Sequence, residues 1–186
     1  MSPIKDDSPQ ALSALREKAQ DFLKRSYLKE AQEAFDAVLE LDPDSVVDLV
    51  CRGMASIKLK QWKKAEADFL KAKTLDPADQ EAWLGLAVST ASLQRIPEAM
   101  EIFEAMLAMH PGFVRGHIQA ARFYYQLVAV NKGKEHLDAA LAGRPSPEQR
   151  REVEAIRLEQ AELDKKRMYR PDFAALNRPK DAKAGA

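Results

Sequence analysis

Four kinds of residue return every 34 positions along this 186-residue chain. Small residues stand at Ala31, Ala65, Ala99 and Gly133, and a large apolar residue follows four places later, at Phe35, Phe69, Phe103 and Leu137. A second small residue recurs at Ala19, Gly53, Ala87 and Ala121, and a proline closes each unit at Pro43, Pro77, Pro111 and Pro145. An interval held this way without gaps restricts the fold to stacked copies of one small unit. One copy alone cannot bury its apolar face, whereas stacked neighbours make a continuous core.

The unit reads as a pair of antiparallel helices. Each proline lacks an N–H and disfavours helix in the residue before it, so it ends one helix and lets the next begin. The small residues let paired helices approach closely, and the Phe fills the space beside them. Ala, Leu, Glu, Lys and Gln abound while glycines number only 7, which favours an all-helical chain.

These positions resemble the tetratricopeptide repeat (TPR) family, whose pattern is W-x2-L-G-x2-Y…A-x3-F…P over a 34-residue unit. The third unit carries the likeness best, through Trp83, Leu86, Ala87, Ala99, Phe103 and Pro111. The second keeps Leu49, Gly53, Ala65, Phe69 and Pro77; the first keeps Leu15, Ala19, Phe22, Ala31, Phe35 and Pro43. In the fourth, Ala121, Tyr124 and Pro145 stand, but His117 replaces the aromatic and Gly133 the alanine. The resemblance implies an all-α, right-handed α-α superhelix (solenoid) of four helical hairpins. Their spans would be 12–45, 46–79, 80–113 and 114–147, after an N-terminal segment, 1–11, that begins the first helix.

Both ends depart from the repeat. Ser8 is expected to cap the first helix, with Pro9 at its first position. Ser146, Pro147 and Gln149 have the spacing of a capping box for a last helix over 148–168. That helix places Val153, Ile156 and Leu163 on an apolar line among charged residues, so it is expected to cap the array. Residues 169–186, with Tyr169, Phe173 and Leu176 among prolines and small residues, read as a disordered tail.

No catalytic constellation is legible, and the chain is not expected to be an enzyme. His110, His117 and His136 lack HxxxH or HExxH spacing, so no metal site and no cofactor is expected. Cys51, the single cysteine, excludes an intrachain disulfide and fits a reducing compartment; among Val50 and Met54 it reads as an inert apolar thiol. Formal net charge is +0, which gives no electrostatic reason to expect nucleic acid. No stretch approaches the roughly 20 apolar residues of a membrane span. The N-terminus has no apolar run of a secretory signal, and the expected location is cytoplasmic.

In the TPR family the first helix of each hairpin lines a concave groove that binds peptides. Carried onto this chain, the resemblance places Val47, Val50, Met54, Ile57, Leu84, Val88, Ile118 and Tyr125 along an apolar floor. Arg16, Gln20, Lys58, Arg115 and Arg122 would stand at its basic and polar ends. Since Leu49, Gly53, Trp83, Leu86 and Ala87 already fill the core-facing slots, the second apolar face is expected to be an exposed strip that a partner covers. Co-chaperone TPRs grip a C-terminal EEVD sequence with a carboxylate clamp. Here Cys51 stands where that clamp needs Asn, Glu81 where it needs Lys and Gly85 where it needs Arg. The expected function is a protein-interaction adaptor or chaperone for an apolar or amphipathic segment. The alternative is a self-assembling, homo-oligomeric scaffold whose own N-terminal helix or tail fills the groove.

Overall fold

The structure, a computed structural model, describes residues 9–168. Ser8 and the segment 169–186, with the cap and tail expected there, lie outside the described residues. The helices are α1 (Pro9–Lys24), α2 (Leu28–Leu41), α3 (Val46–Lys58), α4 (Trp62–Leu75), α5 (Gln80–Ser92), α6 (Ile96–Met109), α7 (Val114–Gln126), α8 (Val130–Ala142) and α9 (Pro147–Met168). No strand occurs among the described residues. The chain divides into two units, one running to Pro145 and one starting at Ser146.

In the first unit the helices pack as hairpins, α1 with α2, α3 with α4, α5 with α6 and α7 with α8. Each hairpin also meets the next, and the odd-numbered helices touch in series, α1 to α3, α3 to α5 and α5 to α7. This is the architecture of an α-α solenoid. Its core is built from the recurring positions: Ala19, Ala31, Phe35, Ala65, Phe69, Ala87, Ala99, Phe103, Ala121 and Leu137 are all buried.

The joints between hairpins use side-chain caps. Ser45 accepts the Asp48 N–H at 3.4 Å and Asp79 accepts the Ala82 N–H at 2.7 Å, so α3 and α5 each satisfy an orphan donor. Phe113, in the corresponding place before α7, gives no such bond.

The turn inside each hairpin is set by backbone instead. Ser26, Lys60, Gln94 and Val128 sit 34 apart and adopt left-handed φ values of 62°, 58°, 64° and 61°. After each, an N–H reaches back across the helix end: Tyr27 to the Phe22 carbonyl, Gln61 to Ser56, Arg95 to Thr90 and Ala129 to Tyr124, at 2.8–3.2 Å. With the shorter-range bonds from Ser26 to Leu23 and Lys60 to Ile57, these are Schellman motifs. Glycine is the usual residue there, and none of these four turns uses it.

In the second unit, Ser146 and Gln149 form the expected capping box. The Gln149 N–H donates to Ser146 Oγ at 3.2 Å and the Ser146 N–H to Gln149 Oε1 at 2.9 Å. Leu163, assigned to the apolar line of α9, is exposed.

Candidate peptide-binding groove

In the first unit, α3, α5 and α7 border a depression of about 180 Å³. Met54 and Ile57 come from α3, Leu84 and Val88 from α5, and Arg115 and Gln119 from α7. The floor is the ring of Phe69, which reaches up from α4. It arrives there because α5 carries no side chain at Gly85: a Cβ at that position would stand 2.2 Å from Phe69 Cε1. A second cavity, about 680 Å³, shares Val88 and Gln119 and continues past Phe123 and Gln126 to Trp62. The two make one track along α5 and α7.

Charge at the mouth is already matched. Arg115 Nη1 donates to Glu81 at 2.9 Å, joining two residues 34 apart on neighbouring repeats. Burial pushes the Glu81 carboxyl above the usual carboxylate range, and Arg115 opposes that rise. Toward the first repeat, Arg16 donates to Asp48 at 2.7 Å and to Asp42 at 2.5 Å. Between them, Arg52 makes a bidentate pair with Asp68, at 2.6 and 3.0 Å, and a further bond to Asp36. Carboxylates of this chain thus hold Arg16, Arg52 and Arg115, and Arg52 is held from α2 and α4 rather than at the cavity.

The structure brings together only part of the expected floor. Met54, Ile57, Leu84, Val88 and Arg115 line the smaller cavity, and Arg122 lines the larger. The exposed apolar strip is corrected: Val50 is 8% exposed, Leu84 4%, Ile118 1% and Tyr125 7%. Packing against neighbouring helices, odd- and even-numbered, covers these side chains. Tyr125 packs across its own hairpin, its ring filling the space left at Gly133. Val47, by contrast, stands 62% exposed and lines neither cavity. Gln20 is half-buried and Lys58 exposed, also away from the two cavities. Arg16 serves the joint between the first two repeats rather than an open edge.

Sequence reasoning missed a second cluster, in the fourth repeat. His117 Nε2 lies 3.0 Å from the Pro111 carbonyl, and its Nδ1 lies 3.2 Å from His136 Nδ1. With the Nε2 proton donated to Pro111, His117 accepts at Nδ1 and His136 donates to it. His136 stacks on Tyr124 at 5.2 Å, and the Tyr124 hydroxyl and Lys132 both donate to Glu104. Burial, then repulsion from His117, pulls His136 down to about 4. Nineteen residues of separation hide this pair, because motif spacing detects ligands on one helix and not across a hairpin.

Among the described residues no group of three or more His, Cys, Asp and Glu side chains is placed to hold a metal. Nor is any described helix long and apolar enough to cross a membrane. Burial and the Asp48 charge push the Cys51 thiol above its ordinary range, away from nucleophilic character.

No protein-family model matches the chain. Among curated proteins it is similar to human (Homo sapiens) RNA polymerase II-associated protein 3, at 24% identity over 160 residues. That match covers 86% of this chain but only 24% of the relative, so the chain spans about a quarter of the protein it resembles. Among solved structures it is similar to TTC0263, a thermophilic TPR protein of Thermus thermophilus. There the TM-score is 0.72 at 18% identity, covering 82% of this chain and 84% of that one. The first TPR of Spaghetti (RPAP3), solved bound to the HSP90 peptide SRMEEVD, matches with a TM-score of 0.58 at 24% identity. It covers 64% of this chain and 97% of that one. These likenesses show the fold.

Proposed function

Starting from a chain that has the tetratricopeptide repeat fold, we propose that it is a protein-interaction module that binds a partner segment along α5 and α7. The observation that carries this reading is the track itself: two adjoining cavities that share Val88 on α5 and Gln119 on α7, walled by Met54, Ile57, Val88 and Phe123. Apolar walls with a few polar groups are the usual make-up of a binding cleft. The role is that of an adaptor or chaperone in the cytoplasm, taking an apolar or amphipathic segment.

The acidic peptide bound by the Spaghetti domain is not carried over to this chain. Cys51, Glu81 and Gly85 occupy the places where a carboxylate clamp needs amide or cationic side chains. Of the arginines expected along the groove, Arg16 and Arg115 are held by carboxylates of this chain.

The test compares wild type with Met54→Lys/Val88→Lys in capture from native lysate. Both residues are half-buried at the mouth, so the variant should keep the wild-type helix content by circular dichroism. A partner captured only by wild type supports the module. Equal capture by both proteins rejects the track as the site. A mass that rises with concentration in wild type and not in the variant points to the self-assembling scaffold.

A further inference from the structure

We propose that the cavity of about 180 Å³ beside Gly85, over the buried Phe69 ring, is a socket for one uncharged apolar side chain of an extended partner segment. This deepens the groove reading above and rests on it. Because Gly85 has no side chain, the Phe69 ring becomes the floor of a cavity walled by Met54, Ile57, Leu84 and Val88. An apolar side chain entering from outside meets Met54, Ile57, Leu84 and Val88, with Gln119 as the neutral polar side chain of the lining.

The rim selects against charge. Among the described residues, the charged side chains lining the socket are Glu81 and Arg115, and they bond to each other. A partner carboxylate drawn to Arg115 would strip Glu81 of its cation in a half-buried setting. A partner ammonium drawn to Glu81 would face Arg115. Either exchange desolvates a new charge without adding a pair, whereas an uncharged side chain leaves the existing pair intact.

The continuation of the track favours an extended occupant over a helical one. Gln119, Gln126 and Ser92 line the larger cavity, and Val88 with Gln119 joins it to the socket. Their neutral donors and acceptors suit the free N–H and C=O groups of an extended backbone. A helix has already used those groups internally. The partner chain therefore runs along α5 and α7 and drops one side chain of Leu, Met or Phe into this cavity.

The experiment is selection of phage-displayed random linear peptides on the full chain, followed by affinity measurement with variants. Gly85→Ala is the obvious variant and an unsuitable one, because its Cβ would collide with Phe69 and disturb the fold. Val88→Phe crowds the socket from its half-exposed wall instead. Enriched peptides should share one Leu, Met or Phe among uncharged neighbours, and Val88→Phe should weaken them at least about tenfold at unchanged helix content. Peptides that bind Val88→Phe as tightly as wild type overturn the socket; the groove reading survives if Met54→Lys/Val88→Lys still abolishes their binding. Enrichment of acidic peptides, or binding of a peptide ending in Glu-Glu-Val-Asp, overturns the uncharged occupant. No enrichment at all overturns the socket and the groove reading together.

Discussion

The Phe69 ring lies beneath Gly85. A Cβ on Gly85 would fall 2.2 Å from Phe69 Cε1, and one on Gly53, from the other side, 2.8 Å from Cζ. One aromatic side chain on α4 is thus accommodated by missing side chains on α3 and α5, so two repeats share a single packing solution. Gly85→Ala should destabilise the chain by about 1–3 kcal/mol through overpacking, even though alanine is the better helix former. Paired with Phe69→Leu, the loss should be smaller than the sum of the two single losses. Urea unfolding of the four proteins measures this coupling; strict additivity would mean the ring simply moves aside.

Val128 holds φ at 61° in the last hairpin turn, and its side chain is 61% exposed. A β-branched residue in the left-handed region is strained and here gains nothing from burial. Val128→Gly should therefore stabilise the chain by about 1 kcal/mol, with Val128→Asn gaining somewhat less. Thermal melts of both variants check the sign. A lower melting temperature for Val128→Gly would show that the turn is not held in this conformation in solution.

Acid should weaken the fourth repeat through its histidine pair. His136 is held at about 4, against an ordinary 6.5, so the folded state favours its neutral form. The stabilisation is therefore complete above pH 6.5 and is lost as pH falls toward 4. At about 1.4 kcal/mol per pKa unit, the full loss is of the order of 3–4 kcal/mol. Glu104 opposes the depression while Lys132 and His117 deepen it. Urea unfolding at about pH 7.5 and about pH 5, wild type against His136→Gln, isolates the effect from other titrating groups. The variant should lose less stability on acidification, and equal losses would remove His136 as the cause.

Arg52 separates two kinds of ion pair within one side chain. Its bidentate partner Asp68 is buried, whereas its other partner, Asp36, is exposed. Asp36→Ala should cost less than about 1 kcal/mol. Arg52→Ala should cost about 3–5 kcal/mol, because it leaves the Asp68 carboxylate buried without a cation. Burial already holds the Asp68 carboxyl above its ordinary range with Arg52 in place. Equilibrium unfolding of the two variants decides, and similar losses would place the weight of Arg52 in its aliphatic packing instead.

The sequence by itself determined the repeat, because each recurring residue answers a local demand. Proline stops a helix wherever it stands, and Ala31, Ala65 and Ala99 are small whatever surrounds them. Phe35, Phe69 and Phe103 are too apolar to leave in water, and Ser45, Asp79 and Ser146 carry the oxygen that a helix start needs. The hairpin turns were not legible in the same way. Ser26, Lys60, Gln94 and Val128 share no chemistry, and their left-handed backbone is imposed by two helices packing at each end. Tertiary structure alone decided which apolar residues of the odd-numbered helices remain open. Val50, Leu84, Ile118 and Tyr125 have the same helical spacing as Met54 and Val88, yet neighbouring helices cover the first four and leave the last two at the rim. The Phe69 ring against Gly85 and the His117–His136 bond belong to the same class of fact. Each depends on distance between separate helices, and that distance is set by how the repeats stack rather than by any residue's own preference.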